Sequence, residues 1–255
     1  MATPFVERFE GHLPGVYNFC ARMTLSRDDA EKSTFETFER AFAGTAPDDG
    51  AELELWLLKI AAHVSEQRLP KDPEVDFDLL DDTLRSDATR TTGVSSLTSP
   101  EREFLLWELK QGCMTAVINC LSPGERVAFV LSNVLGKSDE EAARTLGIKV
   151  SAYKVRMSRA SQKIGDYLAP RCEHVAPRNP CHCPSRIGIA LNKGFIAAPQ
   201  GEVQLRAPNR PFSGEIKSSD AAQIFRTLPA VEVPAELVAR LKRAAASGEW
   251  AKERA

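Results

Sequence analysis

Three cysteines and two histidines crowd into a twelve-residue segment of the sequence, and they are its most reactive group of side chains. They are Cys172, His174, Cys181, His182 and Cys183. Thiolate and imidazole groups at such close spacing are typical of a site for zinc or for a softer copper ion. The alternative is a set of redox-active or merely tolerated thiols. A disulfide framework is not expected, because the first residues lack the long apolar run of a secretory signal.

The remaining cysteines, Cys20, Cys113 and Cys120, are scattered among apolar residues with helical spacing. We interpret them as buried small hydrophobic side chains rather than as ligands or nucleophiles.

A second chemical signal is a basic helix in residues 138–168. Ser138 followed by Glu141 forms a capping-box pattern, and Gly147 marks a tight turn before a longer helix. Four apolar residues of that helix share its inner face: Tyr153, Met157, Ala160 and Ile164. Four cations lie on the outer face: Lys154, Arg156, Arg159 and Lys163. A helix-turn-helix whose second helix is cationic on its outer face predicts binding in the DNA major groove, whereas an ordinary solvated helix hairpin is the alternative.

Helices must position both groups, because the whole chain favours them over strands. Aromatic residues make up 7% of the 255 residues, and helical periodicity recurs from residue 4 to residue 69 and again from Pro100 to about Leu168. Residues 171–215 are predicted to be irregular, and short helices are predicted at 218–228 and 234–247. Pro14 is expected to kink or split the first helix. No apolar stretch is long enough to span a membrane.

Charge divides the chain into two unlike parts. Residues 1–99 contain 10 basic and 19 acidic residues, whereas residues 100–255 contain 23 basic and 16 acidic ones. The segment from Pro70 to Pro100 is rich in Asp, Ser and Thr, and we interpret it as an acidic linker with at most one helical turn near Leu79. The basic part is the better candidate for contact with nucleic acid.

Two segments carry a family resemblance. Residues 11–42 resemble region two of the sigma-70 proteins, specifically the extracytoplasmic-function (ECF) group, and WLLKIAAHV (56–64) resembles the element that follows it. The matching positions of the region-two signature are Arg27, Asp29, Ala30, Glu31, Glu36, Thr37, Phe38, Arg40 and Ala41. Residues 121–160 resemble region four. Two departures stand out: His63 replaces the usual Asn, and the Arg-rich strand-opening helix is reduced to Gln67, Arg68 and Lys71.

The resemblance implies two interaction surfaces. Region two would dock on core RNA polymerase through Asp29, Glu31, Phe35, Glu36, Glu39 and Arg40. It would also approach the minus-10 promoter element with His63 and Arg68. Region four would bind the minus-35 element with Ser151, Ala152, Lys154, Val155, Arg156, Arg159 and Lys163.

Residues 171–186 resemble cysteine-bearing tails that follow region four in some of these factors, with Asn-Pro-Cys-x-Cys as the shared element. Some such tails respond to metal. The resemblance and the spacing together predict zinc or copper ligation by Cys172, His174, Cys181 and Cys183, with His182 as an alternative ligand.

The sequence therefore predicts an all-α sigma factor without catalytic residues. Its domains are a region two-like domain (1–69), the acidic linker (70–100), a region four-like helix-turn-helix domain (101–169) and a partly helical Cys/His-containing extension (170–255). Its expected partners are core RNA polymerase, promoter DNA and an anti-sigma factor, in the cytoplasm and without membrane insertion. A free-standing helix-turn-helix regulator is the nearest alternative, and a thiol or metal enzyme is a remote one.

Overall fold

A computed structural model describes residues 3–48, 50–73, 75–85, 99–192, 196, 221–226, 228 and 230–247. Within these residues the regular structure is helical and no strand occurs, apart from one isolated bridge between Cys172 and Cys181. The predicted all-α fold class is therefore confirmed. None of the helices in these ranges is both long enough and apolar enough to cross a lipid bilayer. The helices are α1 (Thr3–Met23), α2 (Arg27–Ala43), α3 (Gly50–Arg68), α4 (Phe77–Arg85), α5 (Ser99–Asn119), α6 (Pro123–Phe129), α7 (Asp139–Leu146), α8 (Val150–Leu168), α9 (Cys183–Asn192), α10 (Gln223–Arg226) and α11 (Ala235–Ser247).

The helices form two compact units that do not follow chain order. The first unit contains Met1–Asp72, Ser122–Met157 and Ala230–Ala255, and the second contains Pro73–Leu121 and Ser158–Pro229. The four-part division expected from the sequence stays a prediction.

In the first unit, α1, α2 and α3 pack against one another around aromatic side chains. The ring of Phe9 lies 5.0 Å from that of Phe38 and 5.7 Å from that of Phe42, measured between centroids. Ser26 caps the start of α2, because its hydroxyl accepts a hydrogen bond from the Asp29 N–H at 3.2 Å. Helix α1 runs on through Pro14, so the predicted split is wrong. Pro14 itself is exposed, and buried side chains before and after it hold both halves against the bundle.

The helix that leads into the helix-turn-helix is not regular. Helix α6 has a cap at Ser122 and Pro123 at its first position, but its continuation, Val130–Val134, is a π-helical turn that ends before Gly136. Gly136 has a φ of +69°, a value that glycine adopts readily. In the turn the Ser132 hydroxyl hydrogen-bonds the Tyr153 hydroxyl, which ties this segment to α8.

In the second unit, α4 and α9 both pack on α5. Arg171 holds Asp81 of α4 through two hydrogen bonds of 2.8 and 3.1 Å, and the ring of Phe77 stacks on Tyr167 at 4.8 Å. The part of the predicted linker that forms α4 is therefore more than the single helical turn expected, because these contacts stabilise it.

Helix α9 corrects the prediction that residues 171–215 are irregular. Ile187 and Ala190 of α9 join Leu105 of α5 and Ile196 in a buried apolar cluster. Burial of these apolar side chains favours a helix in a segment whose proline and arginine content suggested none. The two short helices expected near the C-terminal end are found as α10 and α11.

Candidate nucleic-acid interface and metal centre

Local sequence rules fix the helix-turn-helix. The Ser138 hydroxyl accepts a hydrogen bond from the Glu141 N–H, and the Glu141 carboxylate accepts one from the Ser138 N–H at 2.8 Å. Gly147 adopts a φ of +64° and so turns the chain into α8. Both features agree with the prediction.

The apolar face of α8 is anchored by Tyr153. Its hydroxyl donates a hydrogen bond to the Ala128 carbonyl oxygen at 2.9 Å, and the side chain is fully buried. Burial raises the pKa of Tyr153 to about 12, so the phenol stays protonated. Ala160 and Ile164 are also buried, whereas Met157 is half-buried. The predicted inner face is thus the one that packs.

The predicted DNA-contacting residues of α8 lie on its outer side. Six of them are exposed: Ser151, Ala152, Lys154, Val155, Arg159 and Lys163. Val155 has half of its surface exposed, which is unusual for a large apolar side chain and would suit contact with a thymine methyl group. Arg156 differs, since it is half-buried and its guanidinium lies next to Gly124 at the start of α6.

The predicted polymerase-contacting residues line one side of α2. Asp29 is exposed, whereas Glu31, Phe35, Glu36, Glu39 and Arg40 are half-buried. Glu31 accepts a 2.9 Å ion-pair hydrogen bond from Arg27. Four residues of this set also line a cavity of about 280 Å³, together with Lys32, Arg68 and Arg240.

Glu36 forms two ion pairs on this surface. Its carboxylate pairs with Arg40 at 2.6 Å and with Arg68 at 2.5 Å. Burial acts to raise the pKa of Glu36, but the two guanidiniums outweigh it and hold the pKa below its usual value. The structure therefore joins Arg68, a predicted promoter contact, to a predicted polymerase contact. His63, the other predicted promoter contact of α3, is exposed.

The Cys/His segment brings together a group that differs from the predicted ligand set. Glu173, His174 and Cys183 offer a carboxylate, an imidazole and a thiol whose ligand atoms all lie within 4.8 Å of one another. The Cys183 Sγ is 3.4 Å from the His174 Nε2. The Cys172 and Cys181 sulfurs lie outside this group, although the backbones of these two residues pair in the isolated bridge.

Hydrogen bonds hold Glu173 in place. Its carboxylate accepts one from the Cys183 N–H at 2.6 Å and contacts the His182 Nδ1 at 2.8 Å. Burial opposes ionisation, yet these bonds keep the pKa of Glu173 below its usual value. Burial, and then Lys110, lower the pKa of His174, whose imidazole is therefore favoured in the neutral form that binds metals. Glu173 is absent from the ligand set predicted from the sequence, because that set contains only thiols and imidazoles.

Cys113 is less buried than predicted. Cys20 and Cys120 are buried as expected, but Cys113 on α5 is only partly buried and lies near the Cys181 and Cys172 thiols. Burial, and then these neighbours, raise the pKa of Cys113 to about 12.

Comparison with known proteins assigns the chain to a family. Residues 111–164 match the family model described as Sigma-70, region 4, which covers the helix-turn-helix. RNA polymerase sigma factor CarQ of Myxococcus xanthus is 31% identical over 169 residues, which cover 64% of this chain and 88% of CarQ. The chain belongs to the sigma-70 family of RNA polymerase sigma factors.

Two further proteins are similar to this sigma factor. ECF RNA polymerase sigma factor SigE of Mycolicibacterium smegmatis is 28% identical over 166 residues, which cover 65% of this chain and 62% of SigE. The sigma factor RpoE of Bartonella quintana, in its complex with the anti-sigma factor NepR, is 21% identical and has a TM-score of 0.41; the match covers 64% of this chain and 96% of RpoE. The predicted family and its ECF group are confirmed by the sequence matches. Because the family consists of transcription initiation factors, membership supports the prediction that the chain is not an enzyme.

Proposed function

We propose that this chain directs core RNA polymerase to a specific set of promoters. The observation that carries the proposal is one polypeptide with two family elements: a region-four helix-turn-helix, and a three-helix bundle that bears the region-two signature. A free-standing regulator needs the first element only. Core polymerase and promoter DNA are thus the proposed partners, and the cytoplasm is the proposed location.

Helix α8, the second helix of the helix-turn-helix, supplies the means of promoter selection. Its exposed cations can neutralise phosphates, and its exposed Ser151, Ala152 and Val155 can approach base edges. Arg159 and Arg156 are the candidates for guanine contacts. Arg156 would first have to leave Gly124, against which it lies in the free protein.

The side of α2 that bears the predicted polymerase-contacting residues, here called the α2 surface, supplies the means of polymerase binding. Its residues are Asp29, Glu31, Phe35, Glu36, Glu39 and Arg40. Phe35 offers an apolar contact, and Glu36, Glu39 and Arg40 surround it with charge. Such an aromatic centre with a charged rim is typical of residues that dominate protein–protein affinity. An anti-sigma factor is a further proposed partner, because the Bartonella quintana relative was crystallised with one.

A metal centre in the Cys/His segment would add regulation. Cys183, His174 and Glu173 supply one S, one N and one O donor that lie within 4.8 Å of one another. This set fits zinc, whereas a copper ion would favour the thiol and the imidazole over the carboxylate. We propose that such an ion binds either this group or the sequence-predicted set of Cys172, His174, Cys181 and Cys183. Its role would be to order the segment, because metal binding and folding are coupled in small sites.

In-vitro transcription tests the main proposal. The full chain is added to core RNA polymerase on genomic DNA fragments, and the transcripts are sequenced. Discrete start sites that require both proteins are expected, with a shared element upstream. Binding to specific DNA without polymerase, and no new transcripts, would instead identify a free-standing regulator.

A further inference from the structure

The C-terminal helix α11 lies on the α2 surface. Leu237 and Leu241, one turn apart, are buried in the first unit, where α11 packs against α2. Ala244 extends the same apolar stripe. The opposite face of α11 is polar and exposed, so the helix is amphipathic and has one packing face.

Polar contacts fix the position of α11. The Arg240 guanidinium lies over the Phe35 ring, 4.6 Å from its centroid. Lys242 pairs with Glu10 of α1 at 2.9 Å. Just before the helix, the Val231 N–H donates a hydrogen bond to the Asn18 Oδ1 at 3.1 Å. The contacts are thus spread along the length of the segment.

These contacts fall on the predicted polymerase-binding residues. Phe35 is covered by Arg240, and Arg240 forms one wall of the cavity whose other walls include Glu36, Glu39 and Arg40. A partner that packs on Phe35 needs the space that Arg240 fills. The two arrangements therefore exclude each other.

We propose that α11 is an intramolecular ligand of the α2 surface, and that core RNA polymerase must displace it to bind. This inference rests on the proposed function, since it names a device that controls the same surface. The helix that covers this surface is α11, an amphipathic helix with two leucines one turn apart and an arginine beside them.

The contact is suited to displacement. Arg240 and the Lys242–Glu10 pair are exposed, and exposed cation–π contacts and ion pairs contribute little to stability. If the form in which α11 covers the α2 surface is about ten times more populated than the form in which α11 is displaced, the apparent affinity for polymerase falls about tenfold. Loss of α11 packing would restore that affinity without any change in the α2 surface.

Four full-length proteins test the inference: the natural chain, Arg240→Ala, the pair Leu237→Glu with Leu241→Glu, and Arg243→Ala. Arg243 is an exposed arginine of the same helix, so its loss is a matched change of charge. All substitutions leave the α2 surface intact. The measurements are the Kd for core polymerase and the amide hydrogen exchange of α11, with and without polymerase.

Arg240→Ala is expected to tighten polymerase binding about two- to fivefold, as the loss of one exposed cation–π contact allows. The double leucine variant is expected to tighten it about tenfold, while Arg243→Ala matches the natural chain. Exchange in α11 should rise when polymerase binds. If Arg240→Ala and the double leucine variant both bind polymerase with unchanged affinity, the inference is overturned while the proposed function stands. The same holds if α11 stays protected from hydrogen exchange in the complex. If none of the four proteins binds polymerase, the proposed function itself is wrong.

Discussion

Arg126 in the last turn of α6 donates a hydrogen bond from its Nη1 to the carbonyl oxygen of Met23, at 2.6 Å and across 103 residues of sequence. Met23 is the last residue of α1, and its carbonyl has no partner within its own helix. A cation at a helix C-terminus also favours the helix dipole. Arg126 is 4% exposed, so this bond forms away from water within the first unit.

Arg126→Leu is expected to lower the free energy of unfolding by about 1–3 kcal/mol, because the Met23 carbonyl loses a buried donor. Urea denaturation monitored by circular dichroism measures the loss. Arg144→Leu is the control, since Arg144 pairs with Glu52 at 2.9 Å but has 58% of its side chain exposed. Its loss should cost less than about 1 kcal/mol. Equal costs for the two variants would contradict the role given to Arg126.

The sequence was sufficient wherever one short segment decides the structure. The Ser138–Glu141 capping box and the turn at Gly147 each depend on residues that are close together in the sequence. They can therefore be predicted without the rest of the fold. The inner stripe of α8 is equally local because it follows helical periodicity.

The features that could not be predicted from the sequence depend on residues that are distant along the chain. Helix α9 is stabilised by Leu105, more than eighty residues before the α9 side chains that it contacts, and α4 is stabilised by Arg171. Glu173 joins His174 and Cys183 only because the loop brings its carboxylate back to the Cys183 N–H. Helix α1 continues through Pro14 for a similar reason, since the buried side chains on both sides of this proline outweigh its local tendency to split a helix.

Base reading and phosphate binding by α8 can be separated by two variants. Arg156→Ala should cost about 1–3 kcal/mol of affinity at a promoter that carries the contacted guanine, and should relax specificity there. Lys163→Ala should weaken binding to all sequences alike and lower the slope of log K against log salt by about 1. Competition binding of the polymerase complex to promoter variants, repeated over a salt series, measures both. Equal effects of both variants on every sequence would refute the assigned roles.

The two proposed metal ligand sets predict different losses. Cys183→Ser should abolish zinc or copper binding under either set. Cys181→Ser should do so only for the set predicted from the sequence, and Glu173→Gln only for the group that the structure brings together. Elemental analysis after loading with each metal gives the stoichiometry. Less than about a tenth of an equivalent in the natural protein would mean that the segment is not a metal site.

Polymerase binding should depend on α2. Phe35→Ala combined with Arg40→Glu is expected to weaken the affinity for core polymerase about tenfold or more, because it removes an aromatic anchor and inverts a rim charge. Lys59→Glu, a charge reversal at an exposed site on α3, is the control and should have little effect. Co-purification and titration with core polymerase provide the measurement, and circular dichroism checks that helicity is retained. Undiminished binding by the double variant would exclude α2 as the docking surface.

The ion pairs of Glu36 should make part of the stability depend on pH. Its pKa is lower in the folded protein than in the unfolded chain, where it has the usual value, so the unfolded state takes up a proton first as the pH falls. The stabilisation is therefore complete above the unfolded pKa and disappears as the pH falls through the folded pKa. Glu36→Gln should cost about 1 kcal/mol at neutral pH.

That cost should shrink toward zero in acid, where both proteins carry a neutral side chain at this position. Urea denaturation of the two proteins over a pH series measures the difference. Glu66→Gln, a change of the same kind on α3, should show a difference below about 0.5 kcal/mol. A cost for Glu36→Gln that stays constant as the medium is acidified would show that the side chain contributes through packing, and not through its charge with Arg68 and Arg40.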